Sequence, residues 1–268
     1  MRVLQRIYKK LAQKSRLDIY KGILQLALDK GYRVCSIYDW YRSDKHEKVL
    51  VLRHDVDIDV EGARKMFEVE RHLGVSSTYY FRNTTKNHSL IKKMQSNGFE
   101  VGLHYETLAD YCKIKGIKSV DDAGNINYRT CALILEEEIE NWKNEYGDLK
   151  SICAHGDKRN RILHIPNRIL FDDVIRSKTS VFVDACDKDL MEQVDVYISD
   201  TSVVNNHRWK YGVSPIEAIN RDDKTIMLLT HPTHWNYNFF KAIKALYRGF
   251  KEDSLNHVYK KERLNKYL

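Results

Sequence analysis

Residues 49–57 read VLVLRHDVD: four apolar, β-favouring residues run without a break into Arg53, His54, Asp55, Val56 and Asp57. A short continuous apolar run of this kind fits a strand buried on both faces, as in a parallel sheet. The arrangement recurs along the chain. Glu100-Val101-Gly102-Leu103 runs into His104-Tyr105-Glu106, and Ser151-Ile152-Cys153-Ala154 into His155-Gly156-Asp157. Val181-Phe182-Val183 meets Asp184, Val196-Tyr197-Ile198-Ser199 meets Asp200, and Ile226-Met227-Leu228-Leu229-Thr230 meets His231. Six expected strands therefore each deliver a His or Asp at the same end.

Helical patterns alternate with these runs. Residues 16–30 place Leu17, Tyr20, Leu24, Ala27 and Leu28 at helical spacing before Gly31, and residues 60–73 form a helix stopped by Gly74. Residues 77–81 read as strand, 88–97 as helix before Gly98, and 99–103 as strand. A long acidic helix over about 128–146 ends at Gly147 and precedes a strand over 149–154. Further strands are expected at 180–183, 194–198 and 225–229, with a short helix opened by Ser214-Pro215. Strand, helix and strand in repetition imply parallel strands joined by crossover helices. In a parallel α/β barrel the C-terminal strand ends share one face, so the six His and Asp ends would converge there.

The chain has 268 residues, and an α/β barrel takes roughly 250 as a single domain. With 43% hydrophobic residues, 12 Gly and 3 Pro it is neither disordered nor fibrous in composition. The formal charge is +8, but residues 1–16 carry +6 and residues 241–268 carry +5, leaving −3 between them. Basic ends on a slightly acidic body argue against a nucleic-acid groove and leave room for an anionic surface at the edge. Five cysteines without a CxxC pair suggest neither a disulfide framework nor a thiolate zinc site, and fit a reducing compartment. No apolar run is long enough to span a membrane, and residues 1–16 lack a signal-peptide pattern, so a cytoplasmic location is expected.

Asp55 and Asp57 are two residues apart, so in an extended strand they leave the same face. Two such charges repel unless a cation lies beside them, and carboxylate with imidazole suits Zn²⁺ or a similar ion. Such a site needs a base for the attacking water and an acid for the leaving group, and the assembled Asp and His residues can supply both. Asp59 reads as the N-cap of the helix at 60–73, and His54 as a packed residue on the opposite face.

These residues resemble the polysaccharide deacetylases of the NodB-homology type, in the divergent branch whose first motif reads His-Asp-Val-Asp. The likeness covers about residues 49–235 and rests on His54-Asp55-Val56-Asp57, Glu100-Val101-Gly102-Leu103-His104 and Leu229-Thr230-His231-Pro232. It implies an α/β fold, a single domain over 1–268 built as an incomplete (β/α) barrel, with basic terminal helices at 1–30 and 236–268. It further implies Asp55 as general base, Asp57 and His104 as metal ligands and His231 as general acid. Asp200 resembles the acidic residue of a later motif, and Trp209 its aromatic companion. The usual second metal histidine, four residues after the first, is replaced here by Leu108. His155 is the first candidate to stand in for it and Glu106 the second. The family's arginine motif is absent, and Arg53 is the candidate to orient Asp55. His234 and Trp235 either line a sugar site or hold a loop.

The implied function is metal-dependent removal of an N-acetyl or related acyl group from an amino sugar in cell-surface polysaccharide biosynthesis, with zinc as the expected cofactor. A glycan, lipid-linked or nucleotide-linked, is the expected partner, and nucleic acid is not. Two alternatives stay open: a metal hydrolase of a non-sugar, cyclic amide, and an inactive relative that binds glycan. Val3, Leu4, Ile7 and Leu11 share a helical face opposite Arg2, Arg6, Lys9 and Lys10, which suits peripheral contact with an anionic inner membrane face. Phe239, Ile243, Leu246, Tyr247 and Phe250 form a second stripe, read as core packing.

Overall fold

The computed structural model describes residues 15–43, 45, 47–202 and 209–236. Eight strands build one sheet: β1 (Arg33–Cys35), β2 (Val49–Val56), β3 (Thr78–Phe81), β4 (Glu100–Tyr105), β5 (Ser151–Ala154), β6 (Val183–Asp184), β7 (Val196–Ser199) and β8 (Thr225–Thr230). Their order is β6-β5-β4-β3-β2-β8-β7, and the pairings are parallel. β1 pairs with Val49–Val51 of β2, and β3 continues along β2 from Arg53 to Val56.

The sheet is curled. Arg53 of β2 donates to the carbonyl of Ala185, just past β6, at 3.2 Å. Four strand spacings separate β2 from β6, about 19 Å in a flat sheet, which an arginine side chain does not reach. Among the described residues β6 and β7 do not pair with each other, so the barrel is incomplete. The expected α/β architecture with an open (β/α) barrel is what the chain forms.

Helices pack around the sheet: α1 (Leu17–Asp29), α2 (Ile37–Arg42), α3 (Val60–Leu73), α4 (His88–Ser96), α5 (Thr107–Ile114), α6 (Tyr128–Tyr146), α7 (Lys158–Leu163), α8 (Asp173–Thr179), α9 (Lys188–Met191) and α10 (Pro215–Asn220). None of the described helices is long and apolar enough to cross a membrane. Asp59 caps α3 by accepting from the Gly62 N–H at 2.8 Å, as its sequence position predicts.

Two-residue alternation in β2 determines what faces the barrel interior. Val49 and Val51 pack inward with Cys35, Tyr80, Cys153 and Met227, while Leu50 and Leu52 pack outward against Tyr20, Ile23 and Leu24 of α1. Continued along the strand, that alternation turns Arg53 and Asp55 inward and His54 outward. His54 is fully buried there, with Nδ1 2.6 Å from Thr230 Oγ1 and Nε2 3.0 Å from Glu70 Oε1.

The strand expected at 180–183 is shorter than its sequence suggests. Ser180 caps α8 in a left-handed conformation (φ 52°) and Phe182 is 43% exposed, so pairing begins only at Val183. The short elements β1, α2, α5, α7, α8 and α9 were not expected from periodicity. The amphipathic stretches at 3–11 and 239–250 lie outside the described residues.

Candidate metal centre

The register of the sheet assembles the site. His104 of β4 pairs with Cys153 of β5, so His155 stands two residues further along the neighbouring strand, on the same face. Its backbone N–H is fixed by the Tyr105 carbonyl at 2.8 Å. Asp57 follows β2. Asp57, His104 and His155 place one ligand atom each within 4.8 Å of one another.

His104 is buried and donates through Nδ1 to the Cys153 carbonyl at 3.0 Å. That bond turns Nε2 toward two carboxylates, 3.4 Å from Asp57 Oδ1 and 3.5 Å from Asp55 Oδ2. Burial alone would lower the affinity of His104 for a proton, but Asp55 and Asp57 outweigh it and raise its pKa. A pocket that attracts a proton to that nitrogen attracts a metal cation for the same electrostatic reason. Burial likewise opposes ionisation of Asp57, yet His104, His155 and His231 hold its pKa below the usual range. Asp57 Oδ1 is buried without a hydrogen-bond partner, as is His155 Nδ1. Burial and the charge of His104 lower the His155 pKa to about 4, leaving a neutral imidazole suited to ligation.

Asp55, 4% exposed, faces the same space. Burial would raise its pKa, but Arg53 grips both oxygens at 2.9 Å and, with His104, holds it well below the usual carboxylate range. On the other flank His231 stands with Nε2 3.9 Å from Asp57 Oδ2. Its Nδ1 is 2.6 Å from Asp200 Oδ1, and its backbone N–H donates to Asp200 Oδ2 at 2.8 Å. Burial disfavours the imidazolium, but Asp200 prevails and lifts the His231 pKa to about 9, while Asp200 is held at about 2.

Two other groups could in principle hold an ion. Asp55, His104 and Cys153 would set the cation against the Arg53 guanidinium that already neutralises Asp55. Asp200, His231 and His234 would require Asp200 to release His231 and the Trp235 indole N–H it accepts at 2.9 Å. The first group leaves Arg53 and Asp200 their partners, and its Asp57 Oδ1, orphaned, lies 3.4 Å from His104 Nε2 and 3.6 Å from His155 Nε2.

The remaining expected residues occupy other positions. Glu106 accepts from Arg82 through both oxygens, one at 3.0 Å, and its Oε2 lies 3.4 Å from His155 Nδ1, which places it behind that ligand. Trp235 is 3% exposed, with Tyr20 5.4 Å and Trp209 6.1 Å from it between ring centroids. Its indole thus holds a loop and offers no open face for a sugar. Trp209 packs with the same outer cluster, away from the barrel interior. His234 Nδ1 lies 3.2 Å from Asp200 Oδ2. Leu108 is buried in the core on α5. Of the six strand-end residues only Asp184 is turned aside, accepting from Tyr105 Oη at 2.6 Å and the Cys186 N–H at 2.7 Å.

Sequence reasoning missed Arg82, which also donates to the Asp57 carbonyl at 3.2 Å and so braces Asp57 directly and His155 through Glu106. Its signal was available: it directly follows β3, at the same end as the other site residues.

No protein-family profile matches this chain, and no curated protein sequence does. Among solved structures it is similar to a CE4 family pseudoenzyme from Bacillus anthracis, at 14% identity and TM-score 0.41 over 77% of this chain, and it spans 63% of that protein. It is also similar to a family 4 carbohydrate esterase from Bacillus anthracis (15% identity, TM-score 0.41, 89% of this chain and 88% of that one). A third likeness is to the peptidoglycan deacetylase PdaC from Bacillus subtilis (14% identity, TM-score 0.37, 70% of this chain and 90% of that one).

Proposed function

We propose that this protein is a metal-dependent hydrolase that removes an N-acetyl or related acyl group from an amino sugar, within cell-surface polysaccharide biosynthesis. One observation carries the reading: Asp57, His104 and His155 converge on a space with an unsatisfied Asp57 oxygen, flanked by the Arg53–Asp55 pair and the Asp200–His231 pair. A divalent ion such as zinc, held by Asp57, His104 and His155, would polarise the acyl carbonyl and make a water more acidic.

The protein's own groups divide the remaining work. Asp55 stays ionised through its contact with Arg53 and accepts the proton of the attacking water. An amine is a poor leaving group until it is protonated, and His231, kept charged by Asp200, delivers a proton to that nitrogen. Glu106 and Arg82 keep His155 and Asp57 in place. The sugar follows from the resemblance of the strand-end motifs, and a lipid linkage from the amphipathic pattern of residues 3–11. The reading as an inactive glycan-binding relative is less favoured, because His155 offers a ligand atom beside Asp57 and His104 where Leu108 has none.

Metal content of chelator-stripped protein re-exposed to zinc or cobalt tests the centre. About one equivalent in the wild type and a clear loss in His155→Ala are expected. Acetate release from N-acetylated amino-sugar oligomers then tests the substrate class. Near-zero metal in the wild type after both exposures would overturn the proposal.

A further inference from the structure

A second reactive cluster lies behind Asp55 and takes no part in the hydrolysis proposed above. Beyond its two bonds to Asp55, Arg53 directs Nη1 at Cys186 Sγ, 3.5 Å away, and Nη2 at Cys153 Sγ. Both sulfurs thus lie against one guanidinium. The sheet brings them together: Ile152 pairs with Asp184, and the Ala185 N–H donates to the Ile152 carbonyl at 2.8 Å. Cys153 and Cys186 thus leave adjacent parallel strands offset by a single residue.

The five cysteines are not equivalent. Cys35, Cys112, Cys131 and Cys153 are buried, whereas Cys186 is partly exposed. Burial pushes the thiols of Cys35, Cys112 and Cys131 up to about 12, 11 and 12. Cys186 differs in position: it faces the Arg53 cation from a place that solvent reaches. A thiol that solvent reaches, beside a cation that favours its ionised form and next to a second cysteine, is the arrangement that oxidant-reactive cysteines require.

We propose that Cys186 and Cys153 are a peroxide-reactive pair, with Cys186 as the attacking sulfur and Cys153 as the resolving one. The Cys186 thiolate attacks one oxygen of a hydroperoxide, the O–O bond breaks, and the departing oxygen takes up a proton as water or alcohol, leaving Cys186 as a sulfenic acid. The Cys153 sulfur then attacks Cys186, the S–O bond breaks, and hydroxide leaves with the Cys153 proton as water while the S–S bond forms. The peroxide is reduced by two electrons and the two thiols are oxidised by two. Because Arg53 holds Asp55 and faces both sulfurs, oxidation removes negative charge from beside the arginine that orients Asp55.

The test is mass spectrometry of the reduced full chain after stoichiometric hydrogen peroxide and alkylation. The expected result is loss of two of the five thiols, a mass decrease of about 2 Da, a linked Cys153–Cys186 peptide and reversal by dithiothreitol. Cys153→Ser should leave a sulfenic acid on Cys186 that dimedone traps, and Cys186→Ser should slow thiol loss by at least about tenfold. Absence of the linked peptide in wild type, uniform oxidation of all five thiols, or a wild-type rate in Cys186→Ser would each overturn the proposal. None of these readouts depends on hydrolytic activity, so the pair and the metal centre stand or fall separately.

Discussion

Asp200→Asn separates the charge of Asp200 from its shape. Asp200 is fully buried and accepts from the His231 ring, the His231 backbone and the Trp235 indole. His231 is lifted from 6.5 to about 9 against the opposing effect of its own burial. At about 1.36 kcal/mol per pH unit, that rise corresponds to about 3 kcal/mol in favour of the imidazolium. Because the folded pKa exceeds the unfolded one, this stabilisation is complete below about pH 6.5 and is lost as pH rises through about 9. Asparagine removes the charge and retains an acceptor. With burial then dominant, His231 should titrate at or below the ordinary histidine range. Histidine-selective NMR of metal-free protein between about pH 5 and 10 reads this directly, and urea unfolding should show the wild type losing more stability than the variant from pH 6 to 9. The alkaline limb of any rate profile should fall with the same pKa. A His231 pKa that stays above about 8 in Asp200→Asn would refute the argument that Asp200 charges the acid.

Arg53→Met should leave the buried Asp55 charge uncompensated and cost about 3–5 kcal/mol near neutral pH by urea unfolding. In the wild type Asp55 has a depressed pKa and lends stability that is lost as pH falls; in the variant the deficit should shrink on acidification, and a cost below about 1 kcal/mol at pH 7 would contradict the pairing. Gly102→Ala would place a Cβ 2.6 Å from both the Ser151 carbonyl oxygen and Tyr80 Cε1, so backbone must shift beneath His104. A loss of about 1–3 kcal/mol in stability together with weaker zinc binding is expected, and wild-type values for both would show that the contact yields freely. Glu106→Gln should weaken zinc binding about 10–100-fold in a competition titration with a chromophoric chelator, whereas full loss of metal would make Glu106 a ligand in its own right.

Much of the site was legible in the sequence because strands have period two and a parallel sheet aligns its C-terminal ends. That logic alone places Arg53 and Asp55 inward, His54 outward, and His104, His155, Asp200 and His231 on one rim. It does not reach positions where neighbours intervene. Asp184 sits at a strand end yet is captured by Tyr105 and the Cys186 N–H, and its buried carboxyl is raised to about 8. Trp235 follows His231 closely enough to suggest a substrate wall, but packing on Tyr20 turns its indole into the core.

The sequence by itself determined the strand–helix alternation, the parallel sheet and the rim of His and Asp residues, since each depends on periodicity within a few residues. Only the tertiary structure decided that His155 completes the set with Asp57 and His104, that Arg82 backs Glu106, and that Cys153 meets Cys186 against Arg53. Those outcomes depend on the register between β4, β5 and β6 and on the curl that carries β2 toward β6. Register and curl are fixed by the packing of residues distant along the chain, and no local pattern encodes them.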